Sequence, residues 1–244
     1  MSEILKPNRS IVLAADVQPE EFTPLMQQMK GVEGLSGVKI GFELGYGLGL
    51  SSAVEIVKDV DPSLEVTFDH QKAANDIPAT GMNFARTMER GGVDNAIIFP
   101  FTGPVTQEAW TKALQDKGIK VITGAEMTHD QIASSPDGLS EGYVHPEAFI
   151  RMFAKAAELG VRDFVVPGNK PEAVETYRSF FDTELGKGEF TLWAPGFVTQ
   201  GGDVSETGAV AGPNFNAIVG SGIYAAENPN SAARALGRKI LSIR

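Results

Sequence analysis

The chain has 244 residues, 42% of them apolar and 21% charged, with a formal net charge of −10 and no cysteine. Such a length buries a full core without metal or disulfide staples, and the apolar content is too high for a disordered chain. The absence of cysteine excludes a disulfide framework, an iron–sulfur cluster, a Cys-ligated zinc site and a Cys nucleophile, while an excess of acids spread along the chain excludes a nucleic-acid coat and still allows a small phosphorylated ligand on a local loop.

The opening residues MSEILKPNRS lack the charged and apolar regions of a signal peptide, and no run approaches ~18 apolar residues. A cytoplasmic protein with no membrane partner is the expectation, and the lack of cysteine is compatible with a reducing compartment.

In chain order, the first β-rich run is 10–16 (SIVLAAD), followed by a helix-length segment at 19–30. Next come a strand at 37–41 (GVKIG) and a helix at 51–60, then a strand at 64–69 (LEVTFD) and a helix at 78–91. The alternation continues with strand 93–99 and helix 104–118, strand 120–124 and helix 146–160, and strand 163–167 and helix 170–185. It closes with strand 190–195, a weaker helix at 203–211, strand 215–220 and helix 231–242. The strands are continuous apolar runs, as in parallel sheets covered on both faces. Several helices open on proline and end near glycine. Eight βα units in one chain predict a single (β/α)8 TIM-barrel domain over residues 1–244. An open doubly wound sheet shares the alternation, but no GxGxxG follows the first strand. The polar stretch 128–142 (THDQIASSPDGLSEG) reads as a long loop, a common form for a lid.

Barrel active sites lie at the C-terminal ends of strands. Read there, the chain offers Asp16, Lys39, Asp69 with His70, Gln71, Lys72 and Asp76, then Glu126, Met127 and Thr128. The segment FDHQKAANDIPAT (68–80) is the densest. Alternating carboxylates and ammoniums in one pocket hold each other charged, and a lysine so held can act as a general acid to a carbanion. A salt-bridged cluster capping the barrel mouth has the same pattern. The glycine-rich runs APGFVTQGGD and VGSGIY follow the seventh and eighth strands, where barrels bind phosphate. His70, His129 and His145 lack metal-ligand spacing. Trp110 and Trp193 read as packing residues, Phe42 and Tyr224 as pocket walls or packing, and Asp203 as a helix N-cap or a ligand contact.

At these residues the chain resembles the orotidine 5'-phosphate decarboxylase family over nearly its whole length. SIVLAADV and GVKIG resemble the first two strands, DHQKAANDIPAT the Asp-x-Lys-x-x-Asp-Ile-Pro-x-Thr signature, GAEMTH the pyrimidine-contacting segment, and APGFVTQGGD the phosphate loop. The resemblance implies cofactor-free and metal-free decarboxylation of orotidine 5'-monophosphate to uridine 5'-monophosphate. Lys39, Asp69, Lys72 and Asp76 would form the charge network, with Asp69 against the substrate carboxylate and Lys72 protonating C6. Asp16 would contact the ribose and Thr128 the pyrimidine. Gln200, with Pro195, Gly220 and Ser221 in the same loops, would hold the phosphate. Asp76, Ile77 and Thr80 would reach into the site of a second subunit, making the active unit a homodimer.

Two departures stand beside the resemblance. The signature is stretched, with one extra residue between Asp69 and Lys72 and another between Lys72 and Asp76. Ser221 stands where the family's last loop carries a phosphate-binding arginine, and a serine lacks the charged, bidentate contact of a guanidinium. The phosphate is then held more weakly or by other groups, or the substrate differs. A magnesium-dependent sugar-phosphate enzyme of the same barrel type, such as a ketogulonate-phosphate decarboxylase or hexulose-phosphate synthase, is the second reading. A catalytically silent nucleotide-binding barrel is the third.

Overall fold

In a computed structural model, which describes residues 8–70 and 73–243, the strands close into a parallel barrel in the order β1 to β8. The strands are β1 (Asn8–Ala15), β2 (Leu35–Ile40), β3 (Glu65–Asp69), β4 (Asn95–Ile98), β5 (Lys120–Gly124), β6 (Asp163–Val165), β7 (Thr191–Ala194) and β8 (Asn214–Val219). The outer ring is α1 (Pro19–Met29), α2 (Leu50–Val60), α3 (Gly81–Gly91), α4 (Pro104–Asp116), α5 (Pro146–Glu158), α6 (Pro171–Glu184), α7 (Val204–Ala211) and α8 (Pro229–Leu241). Every predicted strand and helix forms within a few residues of its expected bounds. The open doubly wound alternative is excluded by the pairing of β1 with β8.

The apolar runs serve two cores. One face of each strand packs outward on the helices, in a layer containing Ile11, Leu13, Val38, Ile40, Phe164 and Phe215. The alternate residues point into the barrel, where Val12, Ala14, Ile97, Phe99, Ile122, Val165, Trp193 and Ile218 form a separate cluster. Trp110 and Trp193 are both buried packing residues. The same two-residue period carries polar groups to the ends of the barrel. At the N-terminal end, Ser10 meets Ser36 and Asn216, and Asn95 donates to Glu65 and Thr67. At the C-terminal end it presents Lys39 and Asp69 inward.

The structure adds local detail to the predicted elements. The expected helix at 78–91 begins as a 3-10 turn, Pro78–Thr80, and becomes α-helical at Gly81. The segment after β2 coils into a short α-turn (Phe42–Leu44) and a π-turn (Gly45–Gly49). This coil needs its glycine at 47, because a Cβ there would lie 2.6 Å from the Pro19 ring. The long loop at 128–142 is without helix, yet it folds back on itself. Ser134 donates to the Val144 carbonyl and Gly142 to that of Ala133, and the side chain of Ser135 accepts from Ser140.

Candidate active site

Lys39 lies on β2 in register with Ala14 of β1 and Thr67 of β3. Its ammonium is 3.1 Å from Asp16 Oδ1 and 3.3 Å from Asp69 Oδ2. The Lys39 and Asp69 side chains are 7% and 8% exposed, and that of Asp16 is 37% exposed. Burial pulls the Lys39 pKa down, but Asp69 and Asp16 together outweigh it and hold the group above the ordinary lysine value. The result is an ammonium fixed as a cation between two carboxylates from the neighbouring strands.

Above this triad opens a cavity of about 250 Å³. Of the residues singled out from sequence, Asp16, Lys39, Asp69, Thr128, Pro195, Gln200, Gly220 and Ser221 all line it. The barrel thus brings together groups from positions 16 to 221. Its apolar wall includes Ile97, Phe99, Val165 and Ile218.

Lys72 and Gln71 lie outside the described residues. The segment that follows them carries an unusual backbone. Ala74 adopts a left-handed backbone, φ 65°, unusual for a residue with a Cβ. The chain there is tied to the loop after β4. The Ala73 carbonyl accepts from Phe99 N–H, the Ala74 carbonyl from the Thr102 hydroxyl, and Asn75 Oδ1 from Phe101 N–H. Asp76, Ile77 and Thr80 are absent from the lining of this chain's own cavity. The Asp76 carboxylate accepts from the Ile77 N–H at 2.7 Å, and the Ile77 carbonyl accepts from Thr80 and from the Trp110 indole. Ile77 presents an apolar side chain 60% exposed on the surface.

The β5 end is set by a network that residue type and spacing did not reveal. Glu126 accepts from the Lys170 ammonium at 2.9 Å and from the Tyr177 hydroxyl at 2.6 Å. Burial, and then the bond to Glu126, push the Tyr177 pKa up, so its proton stays on oxygen. Lys170 also donates to the Met127 carbonyl, and Asn169 to that of Thr128. These bonds fix the backbone carrying Thr128. Only the position of Glu126 at a strand end signals it in the sequence; Asn169, Lys170 and Tyr177 carry no such mark.

The β7 loop is built from Gly196, Phe197, Val198, Thr199, Gln200, Gly201 and Gly202. Gly196 has φ 106°, and a Cβ there would lie 3.0 Å from the Thr128 methyl group. Asp203 is a helix cap: its Oδ1 accepts from the N–H groups of Ser205 and Glu206, and its Oδ2 from Lys239. Thr199, His129 and Tyr224 line the cavity as well. Tyr224 is therefore a pocket wall, whereas Phe42 is exposed. His70 instead meets the Tyr46 hydroxyl beside a second cavity of about 500 Å³ lined by Phe68, Phe84 and Trp110. His145 caps α5.

Comparison with known proteins identifies relatives over nearly the whole chain. A curated orotidine 5'-phosphate decarboxylase of Methanosarcina barkeri is 31% identical over 232 residues, which cover 94% of each chain. The crystal structure of the orotidine 5'-phosphate decarboxylase from Pyrococcus horikoshii OT3 is 28% identical, with a TM-score of 0.74, covering 94% of this chain and 98% of that one. The orotidine 5'-monophosphate decarboxylase of Methanocaldococcus jannaschii complexed with the inhibitor BMP shares the fold, with a TM-score of 0.78 at 23% identity, covering 96% and 99% of the two chains. The family match runs over residues 9–236, from the first residues of β1 into α8. Barrel, strand-end charges and sequence thus converge: the chain belongs to the orotidine 5'-phosphate decarboxylase / HUMPS family.

Proposed function

We propose that this protein decarboxylates orotidine 5'-monophosphate to uridine 5'-monophosphate, a step of pyrimidine biosynthesis, without metal or organic cofactor. The observation that carries the reading is the buried Lys39 ammonium between Asp16 and Asp69, at the floor of a cavity walled by the β7 and β8 loops. The near full-length likeness to curated decarboxylases supports it.

In this reading the nucleotide's phosphate lies toward Pro195, Gln200, Gly220 and Ser221, its ribose near Asp16 and its pyrimidine near Thr128. The substrate carboxylate then faces Asp69. Like charges brought together in a poorly solvated pocket disfavour the bound carboxylate and favour its loss. The bond from C6 to the carboxyl carbon breaks, the electron pair stays on C6, and carbon dioxide leaves. The Lys72 ammonium donates a proton to C6. Lys39 remains charged and pairs with both aspartates. Phosphate and ribose contacts remote from C6 supply binding energy that can be directed to the transition state.

The active unit in this reading is a homodimer. Asp76, Ile77 and Thr80 stand outside their own cavity, and the exposed Ile77 side chain supports a role toward a second subunit. Incubation with orotidine 5'-monophosphate followed by chromatography tests the reaction, which requires uridine 5'-monophosphate to appear in proportion to enzyme and time. The alternative is a magnesium-dependent enzyme of the same barrel type acting on a sugar phosphate, for which a chelator would abolish turnover.

A further inference from the structure

Thr199, after β7, and Ser221, after β8, lie on separate loops, yet their hydroxyl oxygens are 2.9 Å apart. Both side chains line the cavity above Lys39, beside Gln200. The β7 loop is held over the β8 turn by an unusual backbone. Val198 is β-branched and has φ 66°, a left-handed conformation that such residues avoid. Its methyl groups lie against Gly222, where a Cβ would come within 2.8 Å of Val198 Cγ2. The loop is thus seated on Gly222, whose lack of a Cβ leaves space for it, and this seating accompanies the contact of the Thr199 hydroxyl with Ser221.

Each hydroxyl has one proton to donate and lone pairs to accept. When the two bond to each other, one proton is used between them and the other is left to donate outward. A phosphate oxygen placed between the loops can take the donation of both, because each hydroxyl rotor turns freely about its C–O bond. Such a pair makes two bonds from neutral donors to an anion, where a guanidinium makes two from a charged donor. Hydrogen bonds to a charged group are stronger than neutral ones, so two hydroxyls replace much of the affinity that a single serine would not.

We propose that Thr199 and Ser221 act together as the phosphate-receiving pair of this enzyme, taking the place of the arginine that Ser221 displaces. Thr199 is then a substrate-binding residue of the β7 loop, and its hydroxyl is the compensation for the neutral side chain on the β8 loop. This inference rests on the proposed nucleotide substrate.

The test is calorimetric binding of uridine 5'-monophosphate and of uridine to the wild-type protein and to Thr199→Val, Ser221→Ala, Thr199→Ser and the double variant Thr199→Ala/Ser221→Arg. Thermal melts check that each variant folds. The wild-type protein should prefer the nucleotide to the nucleoside. Thr199→Val and Ser221→Ala should each weaken nucleotide binding about tenfold to a hundredfold and leave uridine binding unchanged. Thr199→Ser should retain most of the preference, and the arginine double variant should restore it. The inference is overturned if the wild-type protein binds the two ligands equally, or if Thr199→Val keeps the full nucleotide preference. Loss of the nucleotide preference in Thr199→Val, in a protein that does not turn over orotidine 5'-monophosphate, upholds the phosphate pair and refutes the proposed reaction.

Discussion

The Lys39 ammonium stands 3.3 Å from an Asp69 carboxylate that is itself 8% exposed. Taking charges out of water is costly, and removing one partner of a buried pair leaves that cost uncompensated. Lys39→Met should therefore destabilise the fold by about 3–5 kcal/mol and abolish most of the activity. Denaturant unfolding checks the first outcome. Because the folded Lys39 pKa stands above its unfolded value of 10.5, its stabilising effect is complete below that pH and is lost as pH rises through the folded value. The difference between wild-type and variant should therefore be flat across neutral pH and shrink only in strong alkali.

A site shared between subunits has a clean signature in mixing. Lys72→Ala should lower turnover by at least ~100-fold, the usual scale of a general acid, and Asp76→Asn should also be inactive. If Asp76 acts on the partner's site, subunit exchange between the two variants rebuilds one intact site per heterodimer. Activity should then return to about a quarter of wild type, since half the dimers are mixed and each has one working site. No recovery after verified exchange would place Lys72 and Asp76 in the same subunit's site.

Asp203 caps α7 directly behind the β7 loop. Its bond to Lys239, opposed by burial and aided by the Ser205 and Glu206 N–H groups, holds its carboxyl below the ordinary value of 3.8. A depressed carboxyl stabilises the fold above the unfolded value, and the contribution disappears as pH falls through the folded one. Asp203→Ala should lose about 1 kcal/mol at pH 7, chiefly from the cap, since the exposed ion pair with Lys239 is screened. The gap between wild type and variant should narrow once the pH is well below 3.8. Unfolding at pH 7 and in strong acid measures both.

At the opposite end of the barrel, Arg9 donates to the Ile243 carbonyl at 2.6 Å and to the Gly212 carbonyl at 2.9 Å. These bonds tie the C-terminal segment and the start of β8 to β1. Arg9→Ala should cost about 2–4 kcal/mol through lost bonds and packing. Arg9→Lys should recover only part, because an ammonium lacks the planar fork. Turnover at low temperature should be nearly unchanged, as Arg9 is far from the strand ends that carry the cavity.

The sequence displayed the barrel because every strand is an apolar run punctuated by proline and glycine, and those signals are local. It also displayed Asp16, Lys39, Asp69, Thr128 and Gln200, because in a barrel a strand-end position is already a position in the mouth. Other features were invisible for physical reasons. The Glu126–Lys170–Tyr177 network joins residues far apart in the chain whose types are common on any surface. The Thr199–Ser221 contact depends on a left-handed valine, which no propensity predicts. The stretch between Asp69 and Asp76 is legible as an insertion, but the left-handed backbone of Ala74 within it is not.

The most direct test of the central claim is turnover of orotidine 5'-monophosphate by purified protein in excess chelator, followed through loss of the orotate chromophore. The account predicts rapid loss at a rate unaffected by the chelator and abolished in Lys72→Ala. No loss from a folded, dimeric protein, or activity that returns only when magnesium is restored, would contradict it.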